Sequence, residues 1–153
     1  MRKSISLTVN GMERSAEVEP RTTLLDLVRE EFHLTGAKLG CDIQVCGACT
    51  LLVDGKPLSA CSVLAVDTAG RDILTIEGLS NTGSLHPVQE AFMEFGALQC
   101  GYCTSGFILT AKALLDENPK PSEQEIRDYL AGNFCRCGCY PEIVQAIKNV
   151  SKS

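Results

Sequence analysis

Apolar and polar positions alternate from the start of the chain. Ile5, Leu7 and Val9 fall on one face of an extended segment, Asn10-Gly11 supplies a tight hairpin turn, and Ala16 and Val18 continue the alternation on a return strand. After Pro20 the period lengthens. In TTLLDLVREEF, Leu24, Leu25, Val28 and Phe32 share one helical face, and Thr22 or Thr23 is placed to cap it. A second hairpin runs from Thr50-Leu51-Leu52-Val53 through Asp54-Gly55 to Leu58, and Ile73-Leu74-Thr75-Ile76 supplies a later strand. Strand pairs crossed by one helix predict a small α+β lobe.

Beyond Gly78 the spacing becomes helical. Residues 86–95, 105–116, 122–130 and 141–150 each carry the pattern, separated by Gly, Asn-Pro and Gly-Asn breaks. Ser122 with Glu125 forms a capping box, and Pro141 suits a first helical turn. The second half reads as a small helical bundle, joined to the first through a linker at residues 78–85 (GLSNTGSL). The expected division is therefore two small domains, 1–78 and 79–153, in a chain of 153 residues whose 44% hydrophobic content can fill their cores. The pattern shows no internal repeat and no low-complexity tract.

Composition narrows the function classes. A formal charge of -5 leaves no basic footprint, and 5% aromatic residues without Trp offer few stacking platforms, so nucleic acid is not the expected partner. MRKSISLTVNG begins with basic residues but has no apolar run of signal length behind it, and no stretch approaches the roughly 20 apolar residues of a membrane span. The expected location is cytoplasmic. Nine cysteines, an odd number without a secretion signal, argue against a complete disulfide framework and for metal.

In the first lobe Gly40-Cys41-Asp42-Ile43-Gln44-Val45-Cys46-Gly47-Ala48-Cys49 has four residues between the first two thiols and two between the next, the plant-type 2Fe-2S spacing, and Cys61 follows twelve residues on. An anionic cluster needs a loop that wraps closely and aims N–H groups at sulfur, and Gly40, Gly47 and Ala48 leave room for it. The helical half holds Cys100-Gly101-Tyr102-Cys103 and, after 31 residues, Cys135-Arg136-Cys137, each pair before a helix start whose positive dipole end suits an anion. Structural zinc on either set of four, disulfides, or inert core thiols remain the alternatives. Cys139 is the odd thiol, either a partly buried free cysteine or an alternative ligand or redox-sensitive site.

His33 and His86 read as a helix-end and a helix-start residue rather than as ligands, and Arg29-Glu30-Glu31 as a solvated helix face. There is no G-x-G-x-x-G after a strand, no phosphate loop, and no assembled nucleophile, base and oxyanion set. Substrate chemistry belongs elsewhere.

The segments GCDIQVCGACTLLVDGKPLSAC, QCGYCTSGFILTAKALL and GNFCRCGCYPEI together carry a likeness. Over nearly its whole length the chain resembles the iron-sulfur subunit of the xanthine oxidase family of molybdenum hydroxylases, which includes carbon monoxide dehydrogenase, aldehyde oxidoreductases, 4-hydroxybenzoyl-CoA reductase and the dehydrogenases of nicotinate, quinoline and caffeine. The resemblance implies a ferredoxin-like β-grasp domain that binds an outer 2Fe-2S cluster through Cys41, Cys46, Cys49 and Cys61. It also implies a four-helix-bundle domain that binds an inner one through Cys100, Cys103, Cys135 and Cys137. It places Gln99 and Cys137 against a molybdopterin held by a large partner subunit. Single electrons would pass from there through the two clusters to FAD on a medium partner subunit, or to another acceptor.

The chain departs from the family pattern at three places. Ser105 stands where the family has proline and should still start a helix, Gln44 stands where Gly or Ser is common and bears on the local turn, and Cys139 replaces a glycine beside the inner site. The rival readings are a free-standing ferredoxin-like carrier and a zinc-stabilised interaction protein. An exposed apolar patch around Gln99 and Cys137 would favour obligate assembly over a free carrier.

Overall fold

The computed structural model describes residues 1–80 and 83–151. Strands β1 (Lys3–Val9) and β2 (Met12–Val18) pair antiparallel, with Val9 opposite Met12. Asn10 and Gly11 both have positive φ, 52° and 78°, as a two-residue turn matched to the twist of its strands requires. The same solution recurs at Asp54-Gly55, with φ of 50° and 78°, between β3 (Thr50–Val53) and β4 (Lys56–Ser59). Strand β5 (Asp72–Leu74) inserts between the hairpins, parallel to β1 and antiparallel to β3, giving a mixed sheet of order β2-β1-β5-β3-β4.

Two elements differ from the sequence pattern, each for a local reason. The strand expected at residues 73–76 stops at Leu74, because Thr75 turns inward, receives a hydrogen bond from Asn10 Nδ2 at 3.0 Å and donates its backbone N–H to Asn10 Oδ1 at 2.9 Å. Ile76–Ser80 then forms a 3-10 turn, so the first part of the expected linker is ordered structure; Asn81 and Thr82 of that linker lie outside the described residues. The crossing helix α1 begins as expected, with a reciprocal Thr23–Asp26 capping box, but runs as an α-helix only over Leu24–Asp26 and continues as a π-helix over Leu27–Glu31. The wider turn lets Leu24, Leu25, Leu27 and Val28 all reach the sheet core, and Phe32 is left half-buried with the Arg14 guanidinium 5.2 Å from its ring centroid.

The second half contains α2 (Pro87–Glu94), α3 (Thr104–Glu117), α4 (Glu123–Tyr129) and α5 (Tyr140–Val150). His86 and Ser122 make capping boxes, and Pro141 sits in the first turn of α5. Helix α2 packs on α3 and α5, and α4 packs on the same two. Helix α3 is buried on two sides: Phe107, Ala111 and Leu114 join the helical core, whereas Leu109 and Ala113 join the core beneath the sheet. Its apolar run is broader than one amphipathic stripe for that reason. Among the described residues no helix is long and apolar enough to cross a membrane.

At the surface Glu123 receives hydrogen bonds at 2.8 Å from Lys148, which ties α4 to α5, and from Arg127 one turn along α4. Lys148 and then Arg127 hold its carboxyl down at about 2, below the ordinary 4.5. A depressed folded-state value means that the tie is complete above the ordinary value and is lost as pH falls from about 4.5 through about 2. The pair is exposed, so its contribution is modest. A carboxyl-carbon NMR titration should therefore place the Glu123 midpoint below those of unpaired glutamates, and Lys148→Ala should move it upward.

Candidate metal centres

The loop that precedes β3 is shaped by backbone conformation. Lys38 N–H donates to the Ala48 carbonyl at 3.0 Å and Thr50 N–H to the Gly47 carbonyl at 3.1 Å, closing its base. Asp42, Gln44 and Gly47 have φ of 58°, 61° and 68°. The left-handed residues turn successive N–H groups inward, and those of Ile43, Val45 and Cys46 donate to Cys41 Sγ at 3.5, 3.3 and 3.3 Å. These three donors lower the Cys41 thiol to about 7. The loop is thus built to stabilise negative charge on sulfur.

Two of the left-handed residues carry side chains, and Gln44 is where the chain departs from the family's small residue. Gln44→Gly should relieve about 1 kcal/mol of backbone strain. Thermal unfolding of the loaded protein is the check, and an unchanged or lower midpoint would show that the side chain earns its place by other contacts.

Cys49 and Cys61 complete the first group from the interior. Cys49 lies immediately before β3 and Cys61 in the 3-10 turn after β4, 2% and 6% exposed. Burial, with the Cys61 thiol alongside, pushes Cys49 up to about 12, so without a cation it is neutral. A coordinated metal reverses that preference.

The second group is assembled at helix starts. Cys103 stands at the N-cap position of α3 and contacts Cys135, 32 residues beyond it. Burial, then the Cys135 thiol, pushes Cys103 up to about 12. Burial also opposes ionisation of Cys135, yet the N–H of Cys139, the Cys103 thiol and the N–H groups of Cys137 and Gly138 bring it below its ordinary value. The Cys135 N–H donates to Tyr140 Oη at 2.7 Å. Cys100 is exposed and Cys137 half-buried, and Gln99 Nε2 donates to the Cys137 carbonyl at 3.4 Å, which brings Gln99 and Cys137 together. Cys139 is 2% exposed, stands at the N-cap position of α5 and touches Cys135. His33 is exposed at the end of α1, and His86 accepts from the Val88 N–H, so both histidines have structural places.

Among the described residues, no three His, Cys, Asp or Glu side chains converge as one ion requires. Thiols adjoin at Cys41 with Cys46, at Cys49 with Cys61, and at Cys135 with both Cys103 and Cys139. Two all-cysteine sets with inward N–H donors have the donor chemistry of two 2Fe-2S clusters, each of which takes four thiolates.

Cys41, Cys46, Cys100 and Cys103 open into one crevice of about 310 Å³, together with Tyr102 and Arg136. Its walls are held by bonds that no linear motif announces. Tyr102 Oη donates to the Leu39 carbonyl at 2.7 Å, Ser105 Oγ to Gly36 at 2.9 Å, Asn133 Nδ2 to Gly47 at 3.2 Å, and the Phe134 N–H to Cys46 at 2.9 Å. Ser105 thus serves within the first turn of α3 and also fastens the loop before Cys41.

Residues 7–73 match the 2Fe-2S iron-sulfur cluster binding domain family, and residues 75–148 match the 2Fe-2S binding domain family. The chain is 44% identical to a nicotinate dehydrogenase subunit of Pseudomonas putida, over 100% of this chain and 98% of that protein. It is an iron-sulfur subunit of the xanthine oxidase family. The nicotine 6-hydroxylase small subunit of Paenarthrobacter nicotinovorans is 49% identical to this iron-sulfur subunit, over 95% of it and 88% of the relative. The crystal structure of quinoline 2-oxidoreductase from Pseudomonas putida 86 contains a chain that superposes with a TM-score of 0.95 at 47% identity, covering 98% of this subunit and 93% of that chain. Aldehyde oxidoreductase from Desulfovibrio desulfuricans gives a TM-score of 0.93 at 42% identity, but there the subunit matches only 17% of a longer chain.

Proposed function

We propose that Cys41, Cys46, Cys49 and Cys61 hold one 2Fe-2S cluster, in a β-grasp domain of residues 1–78, and that Cys100, Cys103, Cys135 and Cys137 hold another, in a four-helix-bundle domain of residues 79–153. The mixed sheet crossed by α1, and the ring of contacts that joins α2, α3, α4 and α5, support those two architectures. When bound, each cluster exchanges one electron at a time. This chain's residues supply the thiolates, the N–H groups that stabilise reduced sulfur, and the packing that fixes the two sets.

The carrying observation is that two cysteines of each group, Cys41 and Cys46 with Cys100 and Cys103, line one crevice. It supports an electron relay from a molybdopterin centre on a large partner subunit, contacted through Gln99 and Cys137, to FAD on a medium partner subunit or another acceptor, in the cytoplasm. Leu98 and Tyr102 beside Gln99 are 41% and 48% exposed, which favours a permanent partner over a free carrier. Relatives of comparable identity are named for nicotinate, nicotine and aldehydes, which suits a subunit that carries current and leaves the choice of substrate to its partner.

The native complex, isolated without air, should be brown, contain about four irons per copy of this chain and give two distinct 2Fe-2S EPR signals on reduction. Colourless protein containing zinc would overturn the reading. Cofactor analysis of the same complex should find molybdopterin, and FAD where the medium subunit is present.

A further inference from the structure

The geometry points to Asn133 as a positioning residue that fixes the spacing between the two cysteine groups and thereby the rate at which an electron crosses between them. The inference rests on the two-cluster reading above. Asn133 is 8% exposed and precedes Cys135 by two residues, whereas Gly47 lies between Cys46 and Cys49. Its 3.2 Å bond therefore joins the two ligand-bearing loops directly, although the partners are 86 residues apart in sequence.

The bond is better suited to registering the loops than to satisfying the carbonyl. Gly47 O already accepts the Thr50 N–H at 3.1 Å and the Thr50 hydroxyl at 2.7 Å, so its lone pairs are occupied within its own loop. Asn133 comes in addition, from the opposite side of the seam. The loops are also as close as backbone allows: a Cβ on Gly106 would collide with the Gly47 carbonyl, and a Cβ on Gly47 would lie 2.5 Å from both Asn133 Nδ2 and the Gly132 carbonyl. Backbone contact sets the near limit of the gap, and Asn133, working beside the 2.9 Å bond from the Phe134 N–H to the Cys46 carbonyl, opposes its widening from the side-chain face of the seam. Because electron tunnelling weakens exponentially with distance, a tie of small energy has a large effect on rate.

The test uses the native complex with Asn133→Ala, and with Asn133→Asp, which keeps the volume but replaces the donating amide by an oxygen that repels Gly47. Iron content and the two EPR signals of the parent come first, since a parent without two clusters refutes the underlying reading and overturns this proposal with it. In a two-cluster parent, the variants should keep their iron and both midpoint potentials. The magnetic splitting between the reduced centres should narrow, and intercluster transfer should slow several-fold. A loaded variant with splitting and rate unchanged would overturn the proposal, even if its melting temperature fell. Loss of one signal from both variants would also overturn it, because Asn133 would then serve ligation rather than spacing.

Discussion

Replacing Cys103 with alanine should abolish one of the two reduced-state EPR signals, leave the other in place, and remove about half of the iron. Cys103 stands at the N-cap position of α3 and meets Cys135, and alanine offers no oxygen to stand in for the lost thiolate. The first group has its own support in the N–H groups of Ile43, Val45 and Cys46 around Cys41, and in the buried Cys49–Cys61 pair. None of those donors belongs to α3. Cys139 supplies the contrast, because it stands outside the proposed sets of four while its N–H donates to the Cys135 sulfur. Cys139→Ala should therefore retain both signals and the full iron content. Loss of both signals from Cys103→Ala would show that the sites do not form independently, and loss of iron from Cys139→Ala would make the ninth cysteine a ligand.

Local chemistry made part of this architecture legible. Asn10-Gly11 and Asp54-Gly55 tolerate the left-handed conformations that a two-residue hairpin imposes, so both turns could be read without knowing what packs around them. Ser122 and Glu125 lie three apart and satisfy each other's backbone neighbours, and they mark the start of α4 in the same local way. The π-helix over Leu27–Glu31 was not legible, because an α-helical period also places Leu24, Leu25 and Val28 on one face, and only the sheet beneath recruits Leu27 as well. Thr75 looks like a strand residue until Asn10, 65 positions away, takes its hydrogen bonds.

The candidate site divides along the same line. Cysteine spacing directs attention to particular loops because the separations of the thiols reflect local geometry. Tyr102, Ser105 and Asn133 carry no comparable mark, since each acts on a carbonyl more than sixty residues away in sequence. Gln44 was visible as a departure, but its φ of 61° emerges only when the loop is wrapped so that Val45 and Cys46 face Cys41. What the sequence left open was therefore the means by which the two groups are held together.

Phe107→Ala should be the most damaging substitution that touches no cysteine. Phe107 is fully buried in the helical core, and truncation of such a ring costs about 3–5 kcal/mol through lost burial and the cavity left behind. That loss is a large part of a domain's stability and corresponds to a melting temperature lower by about 10 °C. A second effect comes through Tyr140, whose ring stands edge-on to Phe107 at 6.1 Å and 76° while its hydroxyl accepts the Cys135 N–H at 2.7 Å. Without Phe107 that ring loses its wall, and the Cys135 turn should loosen with it. Tyr140→Phe separates the two effects, because it keeps the ring and strands only the Cys135 N–H, at a cost of about 1–3 kcal/mol. Phe107→Ala should thus broaden the signal assigned to the second group and lower the melting temperature, whereas Tyr140→Phe should shift that signal with the smaller thermal loss. Equal thermal losses would mean that the hydroxyl bond dominates, and an unaltered signal in both variants would detach Tyr140 from the cysteine group altogether.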